Sequence, residues 1–356
     1  MKIPQFKPIF NEEMEKEAIR VLKEEYFING KSVRLFEEEF ADYIGVKHAI
    51  AVSSCSEALV IAIQSLGIKD KAILTTPTTF ISTAECIKLT QNILSFNDID
   101  SKTYNLPEII NVDGQAIIPV HLYGLPYNMH HILMQQKKKG FNIIEDCAQA
   151  IGATIDGKKV GTFGDIGCFS FHTTKNMNVC GKGGMIVTNE DKYADDIRKL
   201  RYHGGVNLSD MSKVEFCGYN AQLNTVNASI GRVQLRYLDE WNEKRRSIAR
   251  FYHKNLANID GLQLPVASKG HVYHQFVIRL DKRDSLKQFL AEKGIQTIVH
   301  YTTPIHLIKP YTVDIPLPEA EYHAKHCLSL PMFPELKKEE VEYVCEGIKS
   351  YFEENK

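Results

Sequence analysis

The chain has 356 residues, room for two domains at about 150 residues each and for a sizeable core without staples. Lys plus Arg number 43 and Asp plus Glu 44, a net charge of −1, so no global basic field is present to draw nucleic acid or an anionic membrane. No apolar run approaches the roughly 18 residues that span a bilayer, and MKIPQFKPIFNEEMEKEAIR holds neither an apolar h-region nor a small-residue cleavage site, which argues against secretion.

Asn11 is placed to cap a Glu- and Lys-rich helix that ends near Phe27, where Asn29-Gly30 breaks it. Val33, Phe36, Phe40 and Tyr43 recur at helical spacing, and Gly45 closes that second helix. Strand signals follow at 48–52, 72–74, 116–120, 141–144 and 185–187, alternating with helices at 58–66 and 129–139. This alternation predicts βαβ units, hence an α/β fold with a mostly parallel central sheet and helices on both faces. Residues 225–256 form a long helical pattern whose only glycine is Gly231, a helix able to bridge two domains. Beyond it lie a strand at 275–280, a helix at 285–292, a strand at 297–300 and helices at 319–327 and 338–352, the texture of a smaller C-terminal α+β domain. The expected division is 1–245 for the large domain and 246–356 for the small one.

Eight cysteines are scattered at Cys55, Cys86, Cys147, Cys168, Cys180, Cys217, Cys327 and Cys345, with no CxxC pair. They read as reduced thiols in a cytoplasmic protein. They supply no clustered ligands, so no metal site is expected.

Five stretches carry chemistry. In GTFGDIGCFSFHTTKNMNVCGKGGMIVTN, glycines lie on both sides of Lys175, after a strand signal. Tight turns around a lysine whose pKa falls on desolvation make it a candidate for bonding a carbonyl covalently; an exposed loop lysine is the plainer alternative. In FNIIEDCAQAIGA, a buried strand ends in Glu145-Asp146 and runs into a small-residue helix. Ligands of α/β sheets sit at such strand ends, so Asp146 is either a helix cap or the partner of a protonated ring nitrogen. In AVSSCSEALVIAI, hydroxyls at a helix start form either an anion site or simple caps. In TTPTTFISTAEC, Phe80 follows a strand end, as a stacking platform or a core residue. In GYNAQLNTVNASIGRVQL, Asn220 precedes the long helix, either as a ligand or as ordinary turn chemistry. His271-x-x-His274 and His323-x-x-His326 have metal-like spacing but no partner ligands nearby, and read as surface or core histidines. Gly161-x-x-Gly164-x-x-Gly167 has the wrong spacing for a dinucleotide fingerprint.

Taken together and in order, these stretches resemble the DegT/StrS-type nucleotide-sugar aminotransferases, pyridoxal-phosphate enzymes of fold type I. The likeness begins at FINGKSVRLFEEEFADYIGVKHAIAVSS and passes PVHLYGLP, EDCAQAIGA and SFHTTKN. It continues through LRYHGG and GYN to GIQTIVHY and LSLPMFP. The resemblance implies that Lys175 bonds the cofactor and that Asp146 pairs with its ring nitrogen. It implies that Gln149 meets the ring hydroxyl, that Phe80 stacks on the ring, and that Ser56 and Ser170 hold the phosphate. Asn220 is implied to reach the phosphate of a neighbouring subunit, hence a homodimer with shared active sites. His300, Tyr301 and His306 are implied acceptor contacts. L-glutamate is the implied amino donor, and a keto-sugar carried on dTDP, UDP or GDP the acceptor.

Three positions depart from the family pattern: Cys55 stands where a Gly usually precedes the phosphate ligand, Lys182 where many members have Glu, and Gln222 where many have Arg. Two other readings stay open on the same fold: a cyclitol or other cyclic ketone as acceptor, and a non-catalytic regulatory or sensory binding protein. Relatives that dehydrate carry His in place of the lysine, and Lys175 argues against that chemistry here.

Overall fold

The computed structural model describes residues 1–206 and 209–355. Its centre is a seven-stranded sheet. The spatial order is His48–Val52, Gly184–Thr188, Ile166–Ser170, Asn142–Asp146, Ala116–Ile117, Ala72–Thr75 and Ile93–Phe96. Neighbours pair in parallel except that Gly184–Thr188 runs antiparallel to both strands beside it. That reversal follows from connectivity: residues 171–183 loop back from Ser170, which then pairs directly with Gly184.

Alternation along the strands assigns the two faces. Ile50, Val52, Ile166 and Cys168 turn to one core, under the helix Cys55–Ser65. Ala49, Ala51, Phe169 and Val187 turn to the other, under the helix Lys31–Ile44 and the start of the long helix. In this second core Phe36 and Phe40 interlock with Phe169 and Phe171 at centroid distances of 5.2 to 6.0 Å. Gly231 is required there, because a Cβ at that position would lie 2.7 Å from the Phe36 ring.

The long helix spans Thr225–Leu256, 32 residues, about 48 Å at 1.5 Å per residue. Its first half packs Leu235 and Leu238 on the sheet. Its second half packs Ile248, Tyr252 and Leu256 into a separate core with the antiparallel ladder Phe276–Arg279 and Cys327–Leu330 and the helix Lys338–Glu354. Ile3 also belongs to that core and bridges Ile295, so the first residues strap onto the C-terminal lobe before the chain enters the N-terminal helix Glu12–Glu24.

Three expected elements differ. Residues 116–120 form a ladder only at Ala116–Ile117, because Pro119 has no N–H to donate; its carbonyl still accepts from Asp146 N at 2.9 Å. Residues 147–153 form successive tight turns, not a helix, with Gly152 at a φ of 82°. Residues 297–300 make one isolated bridge, Ile298 to Ser329, and then turn, which brings residues 300 and 301 inward.

Candidate active site

Glu145 and Asp146 are neighbours at a strand end, so they face opposite sides of the sheet. Glu145 is closed off. Its carboxylate accepts from the backbone N–H groups of Gly161, Phe163 and Gly164 at 2.7 to 2.8 Å and from His121 Nε2 at 3.1 Å. His121 Nδ1 accepts from Tyr127 N at 2.9 Å, which leaves the ring hydrogen on Nε2. Burial pushes the Glu145 pKa up, but His121 and the amides more than offset it, and the carboxyl lies below its ordinary range. Cys147, His121 and Glu145 bring ligand atoms within 4.8 Å of one another, but both histidine nitrogens are already committed.

Asp146 has a different setting. It is buried, and among the described residues it accepts only from Thr83 Oγ1 at 2.8 Å and Ala148 N at 3.1 Å. Burial raises its pKa, and Thr83, Ala148 and the charge of Lys175 oppose that rise only partly. An anion so placed calls for a cationic partner.

Lys175 is half-buried, on a loop that the long helix pins down. Gln234 Oε1 accepts from Asn178 N at 2.8 Å, Asn227 Nδ2 donates to Val179 O at 2.6 Å, and Asn176 Nδ2 donates to Asn242 Oδ1 at 2.9 Å and Val272 O at 3.0 Å. The exposed-loop alternative therefore fails. Burial lowers the Lys175 pKa below the ordinary lysine value, with Asp146 acting against it.

The glycines make close approaches. A Cβ on Gly184 would lie 2.6 Å from the Ser54 carbonyl carbon and 2.8 Å from Cys55 N, and one on Gly167 would lie 2.7 Å from Gly161 Cα. Gly184 thus draws Ser170, its ladder partner, to the start of the helix Cys55–Ser65. At that start, Ser54 caps Glu57 N at 3.2 Å, and the Ser56 and Ser82 hydroxyls meet at 2.7 Å. Ser170 Oγ accepts from His172 N at 3.3 Å. Free N–H groups and hydroxyls gathered here fit an anion. Cys55 is buried beneath that mouth, packed in the core cluster with Ala58 and Leu59 and within reach of the charges of Asp146 and Lys175. Burial holds its thiol protonated, and the nearby charge of Asp146 acts in the same direction.

Phe80 is 56% exposed, so it is not a core residue. Gln149 is buried, accepts from Tyr123 N at 2.8 Å and donates to the Tyr301 hydroxyl at 3.1 Å. The His300 ring contacts Ser329 Oγ at 2.8 Å; burial, then Lys175, lowers its pKa to about 4. His306 is not brought to this cluster. It is 1% exposed and packs against Phe96 and Glu321, with Nε2 at 3.4 Å from the Glu321 carboxylate. Asn220 lies exposed on a strand-like bridge to Tyr202, and the next residue, Ala221, accepts from Ser53 N at 2.9 Å, just before the helix start.

Sequence reading missed two contributors. Thr83 lies three residues after Phe80 and was visible only as one hydroxyl among many. His274 is buried, and its Nδ1 meets Asn176 Oδ1 at 3.2 Å. Burial and then Lys175 push its pKa well below the usual imidazole value. A separate groove of about 530 Å³ lies between the first two helices and the long helix, but its arginines pair with Glu13, Glu17, Glu25 and Glu39, and it does not reach Lys175.

A UDP-N-acetyl-3-dehydro-alpha-D-glucosamine 3-aminotransferase of Acidithiobacillus ferrooxidans is 40% identical over 332 residues, covering 90% of this chain and 89% of the relative. A pleiotropic regulatory protein of Geobacillus stearothermophilus is 40% identical over 364 residues, covering 96% of each. The crystal structure of Streptomyces venezuelae DesV in complex with a ketimine intermediate superposes with a TM-score of 0.94 at 31% identity over 99% of both chains. The DegT/DnrJ/EryC1/StrS aminotransferase family model matches residues 8–349, and the chain is an aminotransferase belonging to that family.

Proposed function

We propose that this enzyme uses pyridoxal phosphate to move an amino group from L-glutamate to the C3 keto group of a nucleotide-linked sugar. The observation that carries the reading is a buried Asp146 that accepts from only Thr83 and Ala148 among the described residues, with a half-buried Lys175 near enough for the two charges to act on each other. The similarity to a 3-aminotransferase supports C3 as the reacting carbon.

The residues fit the cofactor by chemistry. Asp146 is an anion awaiting a protonated ring nitrogen, and its burial makes that pairing strong. Lys175, with its depressed pKa, has the amine needed to bond the cofactor aldehyde and then to take the proton from the donor's α-carbon. Gln149 offers an amide to the ring hydroxyl, and Phe80 offers a face to the ring. Ser56, Ser170 and the helix start below Gly184 offer donors to the phosphate, while Cys55 lines the floor as a neutral thiol. Bound pyridoxal phosphate supplies the electron sink that amino exchange requires. His300 and Tyr301 face the acceptor, with His300 neutral at working pH.

The second copy of the chain completes the site. Tyr26, Phe27 and Ile28 are 85%, 62% and 54% exposed, an apolar patch on the surface. Ile28 bridges Asn224, and Asn29 accepts from Gln222 at 2.6 Å, so the patch adjoins the turn that carries Asn220. A homodimer covering that patch places Asn220 at its partner's phosphate. Two lobes divide within the long helix near residue 245, with the first five residues attached to the second. No described helix is long and apolar enough to cross a membrane, and the eight free thiols suit a reducing cytoplasm.

The test is turnover. Protein loaded with pyridoxal phosphate and given L-glutamate is mixed with UDP- or dTDP-linked 3-keto-sugars, and 2-oxoglutarate and the amino-sugar are followed by mass spectrometry. Amination of a cyclitol ketone in preference to every nucleotide sugar would replace the acceptor. Loss of all turnover with the cofactor bound would favour the regulatory role named for the Geobacillus relative.

A further inference from the structure

The amide of Gln149 can be oriented from its partners. The backbone N–H of Tyr123 can only donate, so the Gln149 atom it meets at 2.8 Å is the oxygen. The other atom is the nitrogen, and it donates to the Tyr301 hydroxyl at 3.1 Å. The phenol oxygen therefore acts as acceptor in that bond. Its own hydrogen meets no acceptor among the described residues. Burial first, then the charge of Asp146, keep the phenol protonated.

Tyr301 is also held in place. The carbonyl of His300 accepts from the Tyr123 hydroxyl and, at 3.5 Å, from the Cys327 thiol. The His300 ring meets Ser329 Oγ at 2.8 Å, and Ile298 and Ser329 exchange backbone bonds. Tyr123 reaches this position with a φ of 56°, the left-handed region, which lets its N–H serve Gln149 while its hydroxyl serves His300. The Tyr123 hydroxyl donates to a carbonyl, so its contact with His323 Nε2 at 3.0 Å is an accepted bond, and His323 is neutral with its hydrogen on Nε2.

A rigid, unspent donor thus lies beside Gln149 and near Asp146. In pyridoxal phosphate one ring carbon separates the nitrogen from the carbon that carries the hydroxyl. We propose that Tyr301 donates its phenolic hydrogen to that ring oxygen, sharing it with the second amide hydrogen of Gln149. Tyr301 then tunes the cofactor, beyond lining the acceptor pocket, and Tyr123 is the residue that positions it. This inference rests on the pyridoxal phosphate reading above.

Tyr301→Phe keeps the ring and removes the donor. The visible band of the loaded protein is titrated against pH with neither glutamate nor sugar present. A donor on the ring oxygen favours the form that has lost its proton, so the variant's midpoint moves up. A hydrogen bond to a charged oxygen predicts a shift of about one to two pH units, a ten- to hundredfold change in the proton equilibrium. Tyr123→Phe retains its N–H bond to Gln149 but leaves the His300 carbonyl with only the Cys327 thiol among the described donors, and predicts a smaller shift of the same sign. An unmoved midpoint in Tyr301→Phe, with only a raised KM for the keto-sugar, would overturn the proposal. Wild-type protein that takes up no pyridoxal phosphate overturns both readings, and that result precedes any variant.

Discussion

Glu145 and Asp146 share a strand end and a burial depth, yet their surroundings set them apart. On the Glu145 side, backbone amides and His121 surround the carboxylate and lower its pKa. On the Asp146 side, one hydroxyl and one amide leave the charge under-compensated and its pKa raised. A buried charge with a full set of donors holds a fold together, whereas one left short of them is poised to bind something. The difference marks the side of the sheet that does chemistry, and substitutions on each side test it.

The largest effect is expected at Lys175. Lys175→Ala should lower transamination by at least about a thousandfold, measured as 2-oxoglutarate release, while thermal unfolding of the cofactor-free protein changes little. Asp146→Asn keeps the shape and removes the charge. Activity should fall by about a hundredfold or more, and the cofactor-free protein should be as stable as wild type or more so, because a strained buried charge is gone. Glu145→Gln should do the opposite. Its amide nitrogen would face N–H donors, with a cost of about 3 kcal/mol in chemical denaturation, and the molecules that remain folded should keep most of their turnover.

The same pair predicts opposite responses to acid. Glu145 has a lowered folded pKa, so its contribution is complete above the ordinary carboxylate value of about 4.3 and is lost as pH falls through the lower folded value. Asp146 has a raised folded pKa, so its charge costs stability above that folded value, and the cost disappears as pH falls through it. Denaturation of Asp146→Asn and wild type from pH 7 downward should therefore converge below the raised pKa. A gap that widens with acid would contradict the assignment. The smallest effect is expected at Phe80, which is exposed. Phe80→Ala should weaken pyridoxal phosphate binding by about two- to tenfold by calorimetry with no measurable change in unfolding temperature.

The frame of this site was legible in the sequence. The long helix at residues 225–256 follows from an unbroken periodic pattern. The strand ending in Asp146 and the glycines around Lys175 carry local signals that do not need the rest of the fold. What stayed hidden depends on distant partners. Residues 147–153 looked helical from their small side chains, but stacked turns there let Gln149 reach both Tyr123 and Tyr301. Residues 297–300 looked like a strand, but the chain leaves the ladder after one bridge, with the His300 carbonyl held by Tyr123. His306 follows the GIQTIVHY stretch by five residues and is an implied acceptor contact, yet it packs against Phe96 and Glu321 and not with the cluster. His274 looked inert, and only its bond to Asn176 reveals its place behind the lysine.

The central claim is that Lys175 and Asp146 face one pocket that holds pyridoxal phosphate covalently. The most direct measurement is to load the protein with pyridoxal phosphate, reduce it with borohydride and locate the added mass by peptide mapping, before and after L-glutamate. The account predicts a single modified peptide carrying Lys175, protected from modification when glutamate is added first. Label spread over surface lysines, or none at Lys175, would contradict it.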